Sequence, residues 1–189
     1  MIKNILKIVF LGIIGFAGLV YLTAPEDKLN PKKVDLKTLS LSTFPSHFEI
    51  IGNSNYVKKE ELFKDASYLI VLNHDALAVL NELDKYTNKN IVLVANISQT
   101  PWLIKKLAVG GKLEELYKTS KLKLINDESG AVVKALALND IKQNRYFVYK
   151  ISNKNLNQSF IAEVPLNSLE KGISKEQKET SLKELVKKL

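Results

Sequence analysis

The chain has 189 residues, a net charge of +8 and no cysteine. Its length suits one core-forming domain with an accessory segment. The missing cysteines exclude disulfides, thiol redox chemistry and cysteine-ligated metals within the chain. His47 and His74 are the only histidines, too few for a structural zinc site, so neither metal nor cofactor is expected. The positive charge is almost all lysine, with Arg145 the single arginine. These lysines are scattered among Glu, Asp and Asn without a basic block or an aromatic ladder. That argues against nucleic-acid binding and suits weak attraction to anionic lipid headgroups.

In chain order, the N-terminus carries Lys3 and Lys7 ahead of an uncharged apolar run, Ile8 to Leu22. With its flanks the stretch 5–24 reaches about the 20 residues that cross a bilayer as a helix. Lysines on the N-terminal side predict a cytoplasmic N-terminus and a translocated remainder. A cleaved signal peptide is the rival reading. A cut after Ala24 would leave Leu22 at the −3 position and Pro25 next to the cut, which favours an uncleaved anchor. The expected localisation is therefore a single-pass bacterial inner-membrane protein with a periplasmic domain.

The expected organisation is an anchor over 1–24, a linker over 25–40 and a folded domain over 41–189. Pro25 and Pro31 stiffen the polar start of the linker. Phe48–Ile51 reads as a strand, Gly52–Asn53 as a turn and Asn55–Val57 as a returning strand. Lys59–Lys64 reads as a short helix.

Tyr68–Leu72 is a continuous apolar run that stops at Asn73, His74 and Asp75. Leu77, Leu80 and Leu83 then repeat at helical spacing, so the unit reads as strand–loop–helix to about Tyr86. In buried sheets of this kind, ligands are met at the loop after the strand. Ile91–Ala95 reads as a second buried strand. Thr100 as N-cap and Pro101 at the first helical position predict a helix through Leu107, with Trp102 packed in the core or a groove. Gly110–Gly111 is expected to interrupt that helix before Lys112–Lys118 resumes it.

Lys121–Ile125 reads as a third strand, Asn126–Gly130 as a polar turn and Ala131–Leu138 as a short helix. Arg145–Ile151 is a fourth strand, Asn153–Asn157 a loop and Ser159–Val164 a fifth strand. Ser168–Ile173 reads as helical. Leu182, Leu185, Val186 and Leu189 form the apolar stripe of a C-terminal helix. Alternating strands and helices closed by a hairpin and a helix predict an α/β fold, a mixed sheet flanked by helices on both faces.

Leu122–Leu138 followed by Arg145–Ile151 resembles the thioredoxin-like and peroxiredoxin-like pattern of a strand, a D-x-x-G turn, a short helix and a further strand. Asp127, Gly130, Val133, Ala135, Leu136 and Leu138 stand at matching positions. Phe48–Asn73 is similar to the lead-in of membrane-anchored periplasmic thioredoxins. The redox family carries Cys-x-x-Cys where this chain has Asp75–Ala78, and a cis-proline where it has Lys142–Arg145. The nearest resemblance is thus to the cysteine-free, periplasmic YtfJ-like branch of the thioredoxin-like proteins. It brings no established chemistry.

What the resemblance implies is an extended-peptide groove between Asn73, His74 and Asp75 on one side and Gln143, Asn144 and Arg145 on the other. Their hydrogen-bonding groups could pair with a partner's backbone. The expected function is a non-catalytic protein-binding or assembly module with an envelope protein as partner and no catalytic residue. One alternative is a scaffold acting through Lys105, Lys106, Lys112 and the C-terminal helix. The other is a thiol-independent enzyme using His74 and Asp75 as an acid–base pair.

Overall fold

The computed structural model describes residues 39–52, 56–98 and 110–189, together with residue 7 and residues 14–16. Its centre is β4 (Tyr68–Leu72), the YLIVL run, buried along its whole length. A strand with no polar face must be covered on both sides and flanked at both edges. β4 pairs in parallel with β5 (Ile91–Ala95) and antiparallel with β7 (Arg145–Ser152). β6 (Lys123–Asn126) extends the parallel side, and β8 (Asn155–Glu163) the antiparallel side. β1 (Leu39–Ser40) pairs with the start of β8 and completes a six-stranded mixed sheet in the order β1-β8-β7-β4-β5-β6. Leu39 and Ser40 therefore already belong to the sheet, within the stretch read as linker.

Alternation along the strands divides the core in two. On one face Ile70, Leu72, Leu93, Leu124 and Val148 pack against α2 (His74–Leu80), α3 (Gly110–Tyr117) and α6 (Lys175–Lys188) through Leu77, Leu80, Leu113, Leu182 and Leu185. On the other, Leu69, Val71, Val92, Val94, Phe147 and Tyr149 meet α1 (Lys59–Leu62) and α4 (Ala131–Ala135) through Leu62, Val132 and Val133. Phe44, Phe48 and Phe63 close that face edge to face, with ring centroids 5.8 to 6.4 Å apart. Each such aromatic pair contributes about 1 kcal/mol beyond its buried area. The expected α/β class, with helices on both faces, is what these residues form.

The expected N-terminal spanning helix is not supported. No helix among the described residues is long and apolar enough to cross a membrane, and of 5–24 only residue 7 and residues 14–16 are among them. The periplasmic placement rested on that helix alone. The helix expected over 100–107, with Thr100, Pro101 and Trp102, lies outside the described residues, as do Lys105 and Lys106. Gly110 and Gly111 are themselves helical, in α3, and the helix they were expected to interrupt lies outside the described residues.

Three boundaries differ from expectation for local reasons. The strand expected over Phe48–Ile51 is split. β2 (His47–Phe48) makes a separate hairpin with β3 (Val57–Lys58), while Ile50 crosses to bridge Ile125 of the main sheet. The loop expected over Asn153–Asn157 is a two-residue turn. Asn153 and Lys154 both have positive φ (50° and 65°), the type I′ geometry that matches strand twist, and β8 starts at Asn155. α4 stops at Ala135 because Ala137 turns left-handed at φ 53°. The N–H of Leu138 then donates to the carbonyl of Val133, and that of Ala137 to Lys134, in a Schellman cap.

Candidate functional site

Each of the three parallel strands runs into an asparagine at its C-terminal end: Asn73 after β4, Asn96 after β5 and Asn126 closing β6. Asn73 is buried, and its side chain does not cap α2. Its amide Nδ2 donates to the carbonyl of Lys142 at 2.9 Å, and its Oδ1 accepts from Nδ2 of Asn96 at 2.8 Å. Its backbone N–H donates to the carbonyl of Arg145. One side chain thus bridges the end of β5, the end of β4 and the loop that leads into β7. Ser98 Oγ extends the chain of bonds by donating to Oδ1 of Asn96 at 3.2 Å.

Asp75 lies in the first turn of α2 and is 1% exposed. Its own backbone N–H donates to the carbonyl of Gln143 at 2.9 Å. Its carboxylate does not cap α2; it reaches across the fold to α5 (Ser168–Lys171). Oδ2 accepts from the N–H of Asn167 at 2.9 Å and Oδ1 from that of Leu169 at 3.2 Å. Those are donors that the start of a helix leaves unpaired, so a carboxylate there is stabilised by hydrogen bonds and by two helix N-termini. With α5 laid against it, every residue of α2 from Asp75 to Leu80 is buried, including Ala78 and Val79. That is why it lacks the amphipathic pattern expected to continue to Tyr86. The α-helix ends at Leu80, and a 3-10 turn over Leu83–Lys85 follows.

His74 opens α2 with its side chain 28% exposed. Nδ1 is buried 3.6 Å from Oδ1 of Asp75, and it has no hydrogen-bond partner among the described residues. Asn144 is buried. Its Nδ2 donates to the carbonyl of Val164 at 2.7 Å, and its Oδ1 finds no donor among the described residues. Arg145 is turned away into an ion-pair cluster with Asp140 and Glu163, the latter at 2.8 Å. Lys142 joins it, 2.6 Å from Glu163. Hydrogen bonds from Lys142 and then Arg145 hold the Glu163 carboxyl down at about 2, while Glu163 and Asp140 raise the Arg145 guanidinium further.

The structure brings Asn73, His74, Asp75, Gln143 and Asn144 close to one another. Asn73, Asp75 and Asn144 are inward-facing struts, and Arg145 is neutralised by its neighbours. Of the set, Gln143 is exposed, and His74 and Arg145 are partly so. Two exposed residues that sequence reasoning passed over stand on the same framework. Ile141, 84% exposed, precedes the Lys142 carbonyl bound by Asn73. Leu166, 66% exposed, precedes the Asn167 N–H bound by Asp75. Large aliphatic side chains at such exposure, on segments pinned by buried polar groups, were detectable in sequence only as apolar residues inside polar loops.

The D-x-x-G turn supports the same end of the sheet. Asp127 accepts from the N–H groups of Val132 and Val133 at 3.1 and 3.0 Å, capping α4. Burial raises its carboxyl pKa against the pull of those bonds. Gly130 adopts φ 69°, and a Cβ there would lie 2.9 Å from Cβ of Ser98, so only glycine lets the turn approach the segment after β5.

Chemically the site is poor in reactive groups. His74 makes no hydrogen bond among the described residues, so no hydroxyl is activated by it there, and the Asp75 carboxylate is occupied by backbone donors. The described residues contain no cluster of His, Asp and Glu able to hold a metal ion. No family model matches this chain, and no curated protein matches it.

Proposed function

We propose that this chain is a non-catalytic, cysteine-free domain of thioredoxin-like type that binds an extended segment of a partner protein. The contact surface is the rim around the 73–75 turn. The observation that carries the reading is the exposure of Ile141 and Leu166 on the two segments hydrogen-bonded to that turn. A rigid polar framework holding two exposed aliphatic side chains supplies anchors for a ligand at little entropic cost. His74 and Gln143 sit among them as hydrogen-bonding groups. The place of the loop before β7 beside the loop after β4, where the resemblance locates a peptide groove, also supports the reading.

The test is photo-cross-linking in cells, with a photoreactive residue at Ile141 or, as the outer-face control, at Lys183 of α6. A discrete adduct from position 141 that disappears in Leu166→Glu is the expected result. Equal capture from position 183, or an adduct indifferent to Leu166→Glu, would place the interaction elsewhere and favour a scaffold acting through α6.

A further inference from the structure

The opposite end of the sheet carries a second surface with different chemistry. A groove of about 630 Å³ opens between α1 and the β7–β8 turn. Its floor is apolar, from Leu41, Phe63 and Ile151, and its rim carries Lys59, Lys64 and Lys154 against a single carboxylate, Glu60. Nζ of Lys59 donates to the carbonyl of Phe44 at 3.3 Å. The ammonium groups of Lys64 and Lys154 have neither a hydrogen bond nor an ion pair among the described residues. Small-molecule sites have this character, about 300 to 1,000 Å³ of mostly apolar wall with a few placed polar groups.

The position of Lys154 is an independent sign. It occupies the second place of the type I′ turn at φ 65°, where glycine is favoured and a long side chain is strained. The turn is not loose. The carbonyl of Lys154 accepts from the N–H of Leu41 at 2.9 Å, which fixes its backbone against the groove floor. A strained residue that also delivers to an apolar cleft a cation with no partner among the described residues points to use of that cation.

We propose that this groove binds a single-chain anionic amphiphile of the fatty-acid type. Its apolar chain lies on Leu41, Phe63 and Ile151, and its carboxylate meets Lys64 and Lys154. The excess of cations over Glu60 selects the sign of the head group, and the lysine stems extend the apolar wall. The site is separate from the rim around His74 and does not depend on it.

The experiment is calorimetric titration of the full chain with dodecanoate below its micelle concentration. Dodecyltrimethylammonium, with the same tail and the opposite head, is the control. Saturable one-site binding of dodecanoate, and none of the cation, is expected. Lys64→Glu combined with Lys154→Gly should weaken dodecanoate by about tenfold or more, as charge-assisted hydrogen bonds require. The melting temperature serves as the check that the variant folds. Absence of saturable binding, equal binding of both head groups, or unchanged affinity in a folded variant would each overturn the proposal.

Discussion

The two ends of the sheet treat their polar groups in opposite ways. At the end that carries Asn73 and Asp75, both side chains are buried and answered by groups of other segments, backbone for Asp75, backbone and the Asn96 amide for Asn73. At the end that carries Lys64 and Lys154, the charges stand at the rim of an apolar groove and are not answered among the described residues. Satisfied buried groups rigidify a fold and are not themselves available to a ligand. Unsatisfied cations over apolar surface add little stability and remain available. Titratable residues clustered after a central strand are thus a weak sign of chemistry until their partners are known.

The comparison is broken most directly at Asp75. Asp75→Ala leaves the N–H groups of Asn167 and Leu169 unpaired inside the fold. Each orphaned donor costs about 1 to 3 kcal/mol, so a loss of about 3 kcal/mol is expected in urea unfolding. A loss below about 1 kcal/mol would mean that the carboxylate is not a strut and is free for another role. Asn73→Ala should follow at about 2 kcal/mol, since it removes two side-chain hydrogen bonds and strands the amide of Asn96. The same measurement checks it, with the denaturant slope unchanged.

How much of this was legible follows from the range of the interactions. β4 and β5 could be read to the residue because a strand buried on both faces has no polar position to blur its ends. The loop after β4 could be found for the same reason. The role of Asp75 could not, because its partner Asn167 lies 92 residues away and is a backbone group that any residue supplies. One signal was available and unused. YLIVLN, IVLVAN and KLIN each end a parallel strand in asparagine, which marks the polar layer at that end of the sheet. The apolar stretch over 5–24 shows the reverse case, where hydropathy alone led to a membrane helix that the structure does not support.

Surface charge gives a smaller effect with a defined sign. Glu163, beside Lys142 and Arg145, and Glu82, beside Lys178 and Lys85, are both held down at about 2 from an ordinary 4.5. A depressed carboxyl pKa contributes stability that is present above about 4.5 and is lost as pH falls towards about 2. Both carboxylates are more than a third exposed, so solvent screens much of that contribution. Relative to Glu82→Gln/Glu163→Gln, the native chain should be more stable at neutral pH. The gap should close between about pH 5 and about pH 2, and shrink in high salt. Denaturant midpoints across that range are the measurement. A gap that persists at low pH would mean that packing, not charge, carries the difference. Asp127 acts in the opposite sense, because burial raises its pKa and protonation relieves it, but it is common to both proteins.

The smallest expected effect separates the two ends of the sheet most clearly. Lys154→Gly relieves a left-handed side chain worth about 1 kcal/mol and gives part of that back in chain entropy, for a net gain of about 0.5 kcal/mol. Ala137→Gly, at another left-handed position, should gain a similar amount through the Schellman cap of α4. Both variants should therefore melt slightly higher than the native chain. They should part company in dodecanoate titration, where Ala137→Gly keeps the native affinity and Lys154→Gly weakens it. A turn residue retained for folding alone would make both substitutions neutral to the ligand. A residue that costs stability and supplies affinity gives the two measurements opposite signs at position 154 only.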